Sequence, residues 1–406
     1  MITTRRFSLT IGGAVFDSWT RCEVVRDLSE ISGSFALELV DPARSAATWV
    51  YATLRDLGPM VHGLEARVAI DGEPVLVGWI DEVVPQASEG FVSVTVIGRD
   101  QTGDLVDCAA TVEGPSEFKG LDLLQITQAI VAPFGLTARA DVDVGEPFDR
   151  YTIDPGETAM SAIEKGARRR ALLVTSDGVG AVVLTRSGQR RAPGAIVFPG
   201  SAFESAGSVS ARDRFSDYHV LGQAEGGGGI RATSAPLDGS AEPLGSLPDA
   251  LPATREDAGV AIHGHAVDPE IKRWRPLVSL ARTQTTAADA TTQADWMMRT
   301  ARAQSEKLDY AVKGYRGPSG ALWRPNELAF VEDSFQIFAR DMLIAGVVYG
   351  YGDDGETTRL RMTGPEAYDL LPEEERRNKS SAGRKGGKSS KSGKSTGALD
   401  GTAEAL

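Results

Sequence analysis

Val75-Leu76-Val77-Gly78-Trp79-Ile80 leads through a polar turn at Glu89-Gly90 into a strand over 91–97 that ends on Gly98-Arg99-Asp100. Met342-Leu343-Ile344-Ala345-Gly346-Val347-Val348 leads through Asp354-Gly355 into a strand over 357–363 that ends on Gly364-Pro365-Glu366. Few identities join the two stretches, yet they match element by element. Apolar runs joined by glycine turns are a hairpin signal. Its recurrence predicts a duplicated β domain with other material inserted between the copies.

The surroundings of the first stretch read as further strands. Phe7, Leu9 and Ile11 alternate with polar neighbours, as do Phe35, Leu37 and Leu39. Ala66, Val68 and Ile70 enter the turn pair Asp71-Gly72, and Val75, Val77 and Trp79 leave it. Val92, Val94 and Val96 alternate again. Period two with a polar opposite face is a half-buried antiparallel sheet. Several such strands in about a hundred residues suggest a small barrel or sandwich, and residues 1–105 are assigned to a first β-barrel domain.

The period then changes. Leu123, Ile126, Ile130 and Phe134 share a helical face that Pro133 and Gly135 terminate. Asp154-Pro155-Gly156-Glu157 reads as a cap, a first-turn proline and an acid three residues on, with Ala159, Ile163 and Ala167 as the apolar face. Leu172–Ser176 and Ala181–Thr185 around Asp177-Gly178 predict a hairpin. Residues 106–200 are expected to be an α+β domain. Residues 201–225 and 306–372 are assigned to a second, discontinuous β-barrel domain, in which Leu328 and Phe330, Val347, Tyr349 and Tyr351, and Thr358, Leu360 and Met362 alternate. Between them, 226–305 reads as an inserted loop, Gly-rich from Gly226 to Pro252, and a helix from about Thr286 to Ala303. Residues 373–406 are a Lys/Ser/Gly-rich tail without enough apolar content to fold alone. The fold class expected is α+β, mainly β, with two related antiparallel barrels flanking the α+β domain.

The chain has 406 residues, long enough for two to four domains with cores of their own. Its 43 Lys+Arg against 56 Asp+Glu give a net charge of −13, which argues against a sequence-reading nucleic-acid binder. No apolar run approaches the roughly 20 residues of a bilayer span, so no membrane insertion is expected. Two cysteines, Cys22 and Cys108, make neither a disulfide framework nor a zinc site.

Catalytic chemistry finds little footing. The histidines are His62, His219, His263 and His265, and none lies in a serine or cysteine nucleophile motif. His263-Gly264-His265 places two imidazoles on one strand face, but no third ligand is within local reach. Asp141-Val142-Asp143-Val144-Gly145 lacks the remaining calcium ligands. Asp100, Asp104 and Asp107 read as a solvated loop, and Arg168-Arg169-Arg170 as the cationic end of a helix. Lys388-Ser389 and Lys394-Ser395 are not preceded by the strand and glycine of a phosphate loop. Asn378 begins a glycosylation triplet that means nothing without secretion. The basic run Arg376–Lys394 is assigned to docking on an acidic partner. Trp274, Trp296 and Trp323 are assigned to core packing. Expected catalytic, cofactor-binding and metal residues are none, and no cofactor is expected.

One ordered series of motifs resembles a known family. It runs Ile271-Lys272-Arg273-Trp274-Arg275-Pro276, then Trp296 with Arg299-Thr300-Ala301-Arg302, then Tyr310 through Arg316 and Gly320 through Asn326, and finally Leu343–Val348 and Leu360–Pro365. The series is similar to the baseplate hub proteins of Mu-like contractile-tailed phages, relatives of the T-even hub and of the base of secretion-system spike proteins. The resemblance is strongest over 257–368 and implies two related barrels around an α+β domain. It implies a homotrimeric ring with pseudo-sixfold symmetry that joins the hexameric tail tube, or a tube-end adaptor, to the trimeric central spike. Other baseplate proteins are the further partners, and a bore is left for transient, non-specific DNA passage. It places the chain in the virion tail baseplate, assembled in the host cytoplasm, and supplies no catalytic residue. Spike tip and any wall-degrading activity are expected on other chains. The alternative reading is a tail-associated hydrolase or a glycan-binding protein.

Overall fold

The computed structural model describes residues 7–16, 19–40, 61–88, 91–111, 114–223, 261–281 and 287–371. The first seven strands are β1 (Phe7–Ile11), β2 (Ala14–Phe16), β3 (Arg21–Asp27), β4 (Ser34–Val40), β5 (Glu65–Ile70), β6 (Glu73–Ser88) and β7 (Phe91–Asp100). Alternation sets their faces: Phe7, Leu9 and Ile11 are buried along β1, and Phe35 and Leu37 along β4. Asp71 and Gly72, both at positive φ, turn β5 into β6, as the aspartate–glycine pair predicts.

The α+β segment follows with α1 (Gly103–Asp107), β8 (Glu117–Phe118), α2 (Leu123–Val131), β9 (Thr137–Ala140), β10 (Tyr151–Thr152), α3 (Ala159–Arg169), β11 (Leu173–Ser176) and β12 (Ala181–Thr185). Its core is separate: Ile126, Ile130, Ile163 and Leu184 are among its buried members. The α2 cap is a reciprocal box between Asp122 and Gln125. The α3 start differs from the sequence reading. Gly156 sits at φ +80°, a left-handed turn no helix can include, so Asp154–Glu157 forms a turn in which Glu157 accepts from the Asp154 N–H. The cap falls to Thr158, whose hydroxyl accepts from Ser161 N.

Next come β13 (Arg190–Arg191), β14 (Ile196–Phe198), β15 (Ala202–Val209), β16 (Asp217–Gln223), β17 (Ala261–Val267), β18 (Pro276–Leu280), α4 (Ala287–Gln304), β19 (Glu306–Lys313), β20 (Glu327–Asp333), β21 (Phe338–Gly352) and β22 (Gly355–Thr363). The strand order of the first unit, β3-β4-β7-β6-β5, repeats in the second as β15-β19-β22-β21-β20. All four pairings in each run are antiparallel. The long middle strand of each carries a register shift at the same stage, between Ile80 and Glu82 in β6 and between Ile344 and Gly346 in β21. A bulge bends and twists a strand, so the repeated bulge gives the two units the same curvature.

The related pair of β units is thus present, but among the described residues no sheet closes into a barrel. β3 instead pairs with β21, from Asp27↔Gly346 to Cys22↔Tyr351, and fuses both units into one fourteen-stranded sheet. An apolar core runs through both, with Leu9, Phe35 and Val96 from the first and Tyr310, Tyr349 and Leu360 from the second. The Phe7 and Tyr315 rings meet edge to face at 5.0 Å across the junction.

Two expectations about grouping change. β16 leaves the second β unit and joins β17 and β18 in a separate three-stranded sheet backed by α4. Residues 261–280 of the expected loop-and-helix segment are therefore largely strand. Along β20, Ala329 and Val331 face the core while Phe330 is exposed, because the core lies on the opposite side of the alternation. The Gly226–Pro252 stretch, Thr286 and the tail 373–406 lie outside the described residues.

Candidate functional site

The small sheet β17-β16-β18 is two-faced. Tyr218, Val220 and Ile262 point to α4, where Ala290 and Ala294 are fully buried against them. Gly264 belongs to that inward face, and a Cβ there would lie 2.1 Å from Ala290 C and 2.2 Å from its carbonyl oxygen. The helix therefore rests on the bare glycine backbone. Side chains on either side of it must face the other way, so His263 and His265 stand together on the outer face. Register places His219 opposite His265 and Leu221 opposite His263, with Asp217 two residues before His219.

That outer face gathers three imidazoles and a carboxylate. The His219 and His265 rings stack with centroids 4.5 Å apart at 5°, and His219 and His263 at 5.1 Å and 16°. His219 Nδ1 lies 2.9 Å from His263 Nε2, and His265 Nε2 lies 3.1 Å from Asp217 Oδ1. Asp217 also accepts from Ser216 Oγ, and that bond and His265 hold its carboxyl below the usual carboxylate range. The third ligand missing from the local sequence around His263-Gly264-His265 thus arrives from a strand about 45 residues earlier (His219 to His263 and His265). Period-two reading of β16 could have placed Asp217 and His219 on one face, but not beside β17.

Behind this face, a buried ion network ties the sheet to its helix. Arg214 reaches Asp268 through Nε at 2.9 Å and Nη2 at 2.7 Å, and Glu270 through Nη2 at 2.7 Å. Glu270 also pairs with Arg302 of α4. Arg214 and Asp268 are both buried, so the bidentate fork replaces their lost hydration.

The other sequence candidates disperse. Asp100 is not solvated: it is buried at the end of β7 and accepts from Gly33 N, Ser32 Oγ, Thr102 and Ser176 Oγ. Arg26 of β3 donates to Ser176 O at 2.6 Å beside it. This knot joins the first β unit to the β11–β12 hairpin, and Asp107 pairs instead with Arg99. Asp141 pairs with Arg139 and Arg190. Arg169 and Arg170 cover the Phe148 ring at the end of α3. His62 is exposed in a turn. Trp323 is buried and Trp296 donates to Asp369 O, but Trp274 is 75% exposed, contrary to its assignment to the core.

Two further features were invisible in the sequence. Glu327 lines a cleft with Arg26, Arg139, Arg190 and Arg324, and burial pushes its carboxyl up to about 7 despite Arg324 and Arg190. Below its ordinary value of 4.5 both folded and unfolded chains hold the proton. As pH rises toward 7 the unfolded chain releases it first, so stability falls. Glu327→Gln is expected to remove that fall, leaving pH 4 unchanged and raising stability at pH 8 by about 1–2 kcal/mol after allowance for solvent screening. Urea unfolding at the two pH values checks it.

The turn between β20 and β21 presents Phe335, 77% exposed, and Ile337, 87% exposed and at φ +61°. Asp333 clamps the turn by accepting from Phe335 N and Gln336 N while Ser205 Oγ and Tyr310 OH donate to its other oxygen. A β-branched residue in the left-handed region costs about 1–2 kcal/mol. Ile337→Gly is expected to raise the unfolding free energy by about 1 kcal/mol in thermal or urea melts.

Three family models match separate parts of the chain, the first two adjacent and the third beyond a gap over 187–285. Residues 6–100 match the N-terminal domain described as Mu phage baseplate assembly protein GpP-like. Residues 102–186 match the second domain of baseplate hub protein gp44-like. Residues 286–371 match the fourth domain of Mu phage baseplate assembly protein GpP. The baseplate hub protein gp44 of Escherichia phage Mu is 29% identical over 94% of this chain and 93% of its own length. This chain is a homologue of the phage Mu baseplate hub protein gp44, similar to it along nearly the whole length of both. Among solved structures, the 43 kDa tail protein of prophage MuSo2 from Shewanella oneidensis superposes with a TM-score of 0.72, at 29% identity over 89% of this chain and 99% of its own. A tail protein from Neisseria meningitidis has a similar fold, at a TM-score of 0.67 and 20% identity over 90% and 99% of the two chains. The GpP-like N-terminal match covers strands β1–β7, and the fourth-domain match covers α4 and β19–β22. The first model thus spans the first β unit and the last one all but β15 of the second run, while the histidine face lies outside all three.

Proposed function

We propose that this chain is the structural hub of a phage tail baseplate, a homotrimeric ring that joins the tail tube or a tube-end adaptor to the central spike. The observation that carries the reading is the repeated five-strand order. Two like units per chain, in three copies, present six similar surfaces to a sixfold tube while the ring keeps threefold symmetry for a spike. The domain reading that accompanies it takes 1–105 as the first unit, 106–200 as the α+β domain and 306–372 with β15 as the second unit. The hub contacts other baseplate proteins, is assembled in the host cytoplasm and acts without enzymatic chemistry. Three chains carry three times −13, or −39. Acid-lined walls would repel phosphate and let DNA slide through a central bore.

Native mass spectrometry of the purified chain tests the ring. A mass of about 130 kDa, three times 43.1 kDa, with rings in electron micrographs is expected. A chain that stays monomeric with tube and spike proteins present, or one that degrades peptidoglycan as the hydrolase reading requires, overturns the proposal. If Ile337→Gly stabilises the chain yet impairs ring or baseplate assembly, the strained apolar turn is one of the contacts.

A further inference from the structure

We propose that Asp217, His219 and His265 bind one divalent transition-metal ion of the zinc class on the outer face of the β17-β16-β18 sheet, with His263 orienting His219. The three residues can each bring one ligand atom within 4.8 Å of the other two. Two imidazoles and a carboxylate are a common open zinc set, leaving a fourth position for water or an incoming donor. Ligand distances of 2.0–2.2 Å in a tetrahedron put ligand atoms about 3.3 Å apart, close to the 3.1 Å between His265 Nε2 and Asp217 Oδ1. A hydrogen bond now spans that gap, and a metal ion would take its place.

The second layer is also present. A ligating histidine needs its other ring nitrogen engaged so that the tautomer and ring plane are fixed. His219 Nδ1 has that engagement at 2.9 Å from His263 Nε2, which leaves the His219 Nε2 lone pair for the ion when Nδ1 is the donor. The backbone beneath is rigid: seven register pairs join β16 to β17. Gly264 seats α4 flush on the inner face, and the Arg214–Asp268 fork pins the strand ends. The ligands thus stand on a preformed backbone frame, and closing on an ion needs only side-chain rotation, in which the stacked His219 and His265 rings turn so that their in-plane lone pairs converge. Bound metal would cross-link two strands that are distant in sequence, stabilising the folded sheet through linkage.

The test uses the full chain with any polyhistidine tag removed. Titration with Co²⁺ is expected to give the intense visible bands of a four-coordinate ion, displaced by Zn²⁺, with calorimetry counting one Zn²⁺ per chain. His219→Ala and His265→Ala, both surface changes whose folding is checked by circular dichroism, are each expected to weaken binding at least 100-fold. His263→Ala is expected to weaken it by about 10–100-fold, the range for an outer-shell partner, and His62→Ala to leave it unchanged. Absence of binding at 100 μM Zn²⁺, a six-coordinate Co²⁺ spectrum, or binding that survives both His219→Ala and His265→Ala overturns the site.

Discussion

Asp268→Ala is expected to lower the unfolding free energy of the β16–β18 and α4 region by about 3–5 kcal/mol, the range for breaking a buried ion pair. The reason lies in what remains. Arg214 is almost fully buried, and without Asp268 it keeps only Glu270, which is half-exposed and shared with Arg302. The backbone N–H of Glu270 also loses its acceptor, Asp268 Oδ1. A double replacement, Arg214→Met with Asp268→Leu, removes both charges and is expected to recover most of the loss, since apolar isosteres of buried pairs are often neutral or better. Urea melts of the two variants separate the possibilities. A single variant within 1 kcal/mol of the parent would show that water reaches Arg214 freely.

Gly264→Ala is expected to cost about 3 kcal/mol, the upper end for overpacking. The obstructing atoms are the backbone C and O of Ala290 and N of Thr291, all within 2.4 Å of the added methyl, so no rotamer change relieves the clash. α4 must shift outward, loosening Ala294 and Ile262 from their contacts. Protease sensitivity within 261–304 should rise at temperatures where the fourteen-stranded sheet is intact. The metal site offers a second readout, because displacing α4 also releases the strand that carries His263 and His265.

The sequence made the repeated hairpins legible because each is local: alternation gives the faces, and Glu89-Gly90, which lies outside the described residues, and Asp354-Gly355 mark the turns. It could not show that β3 pairs with β21, since neither strand carries a mark of its partner and their alternation is satisfied by any neighbour. For that reason the two expected barrel units do not close among the described residues. The helix start was misplaced because the capping pattern at Asp154 is sound in isolation and only Gly156's conformation cancels it. The histidine site was half legible. His263-Gly264-His265 announced two ligands on one face, but the carboxylate and the third ring come from register across strands far apart in the chain. Asp100 looked like a loop acid because burial by Ser32, Gly33 and Ser176 is likewise non-local.

The β3–β21 seam also sets an order of events during synthesis. Strand β3 is complete by Asp27, whereas its partner ends at Gly352, so some 320 residues are translated in between. At roughly 5–20 residues per second, one edge of the nascent sheet waits on the order of tens of seconds for its neighbour. An open edge is an invitation to pair with the wrong chain. Arg21, Glu23, Arg26 and Asp27 fall along that strand, and their charges guard it until the C-terminal half leaves the ribosome. A chain truncated before β21 should therefore aggregate through β3, and neutralising those four residues should make it worse.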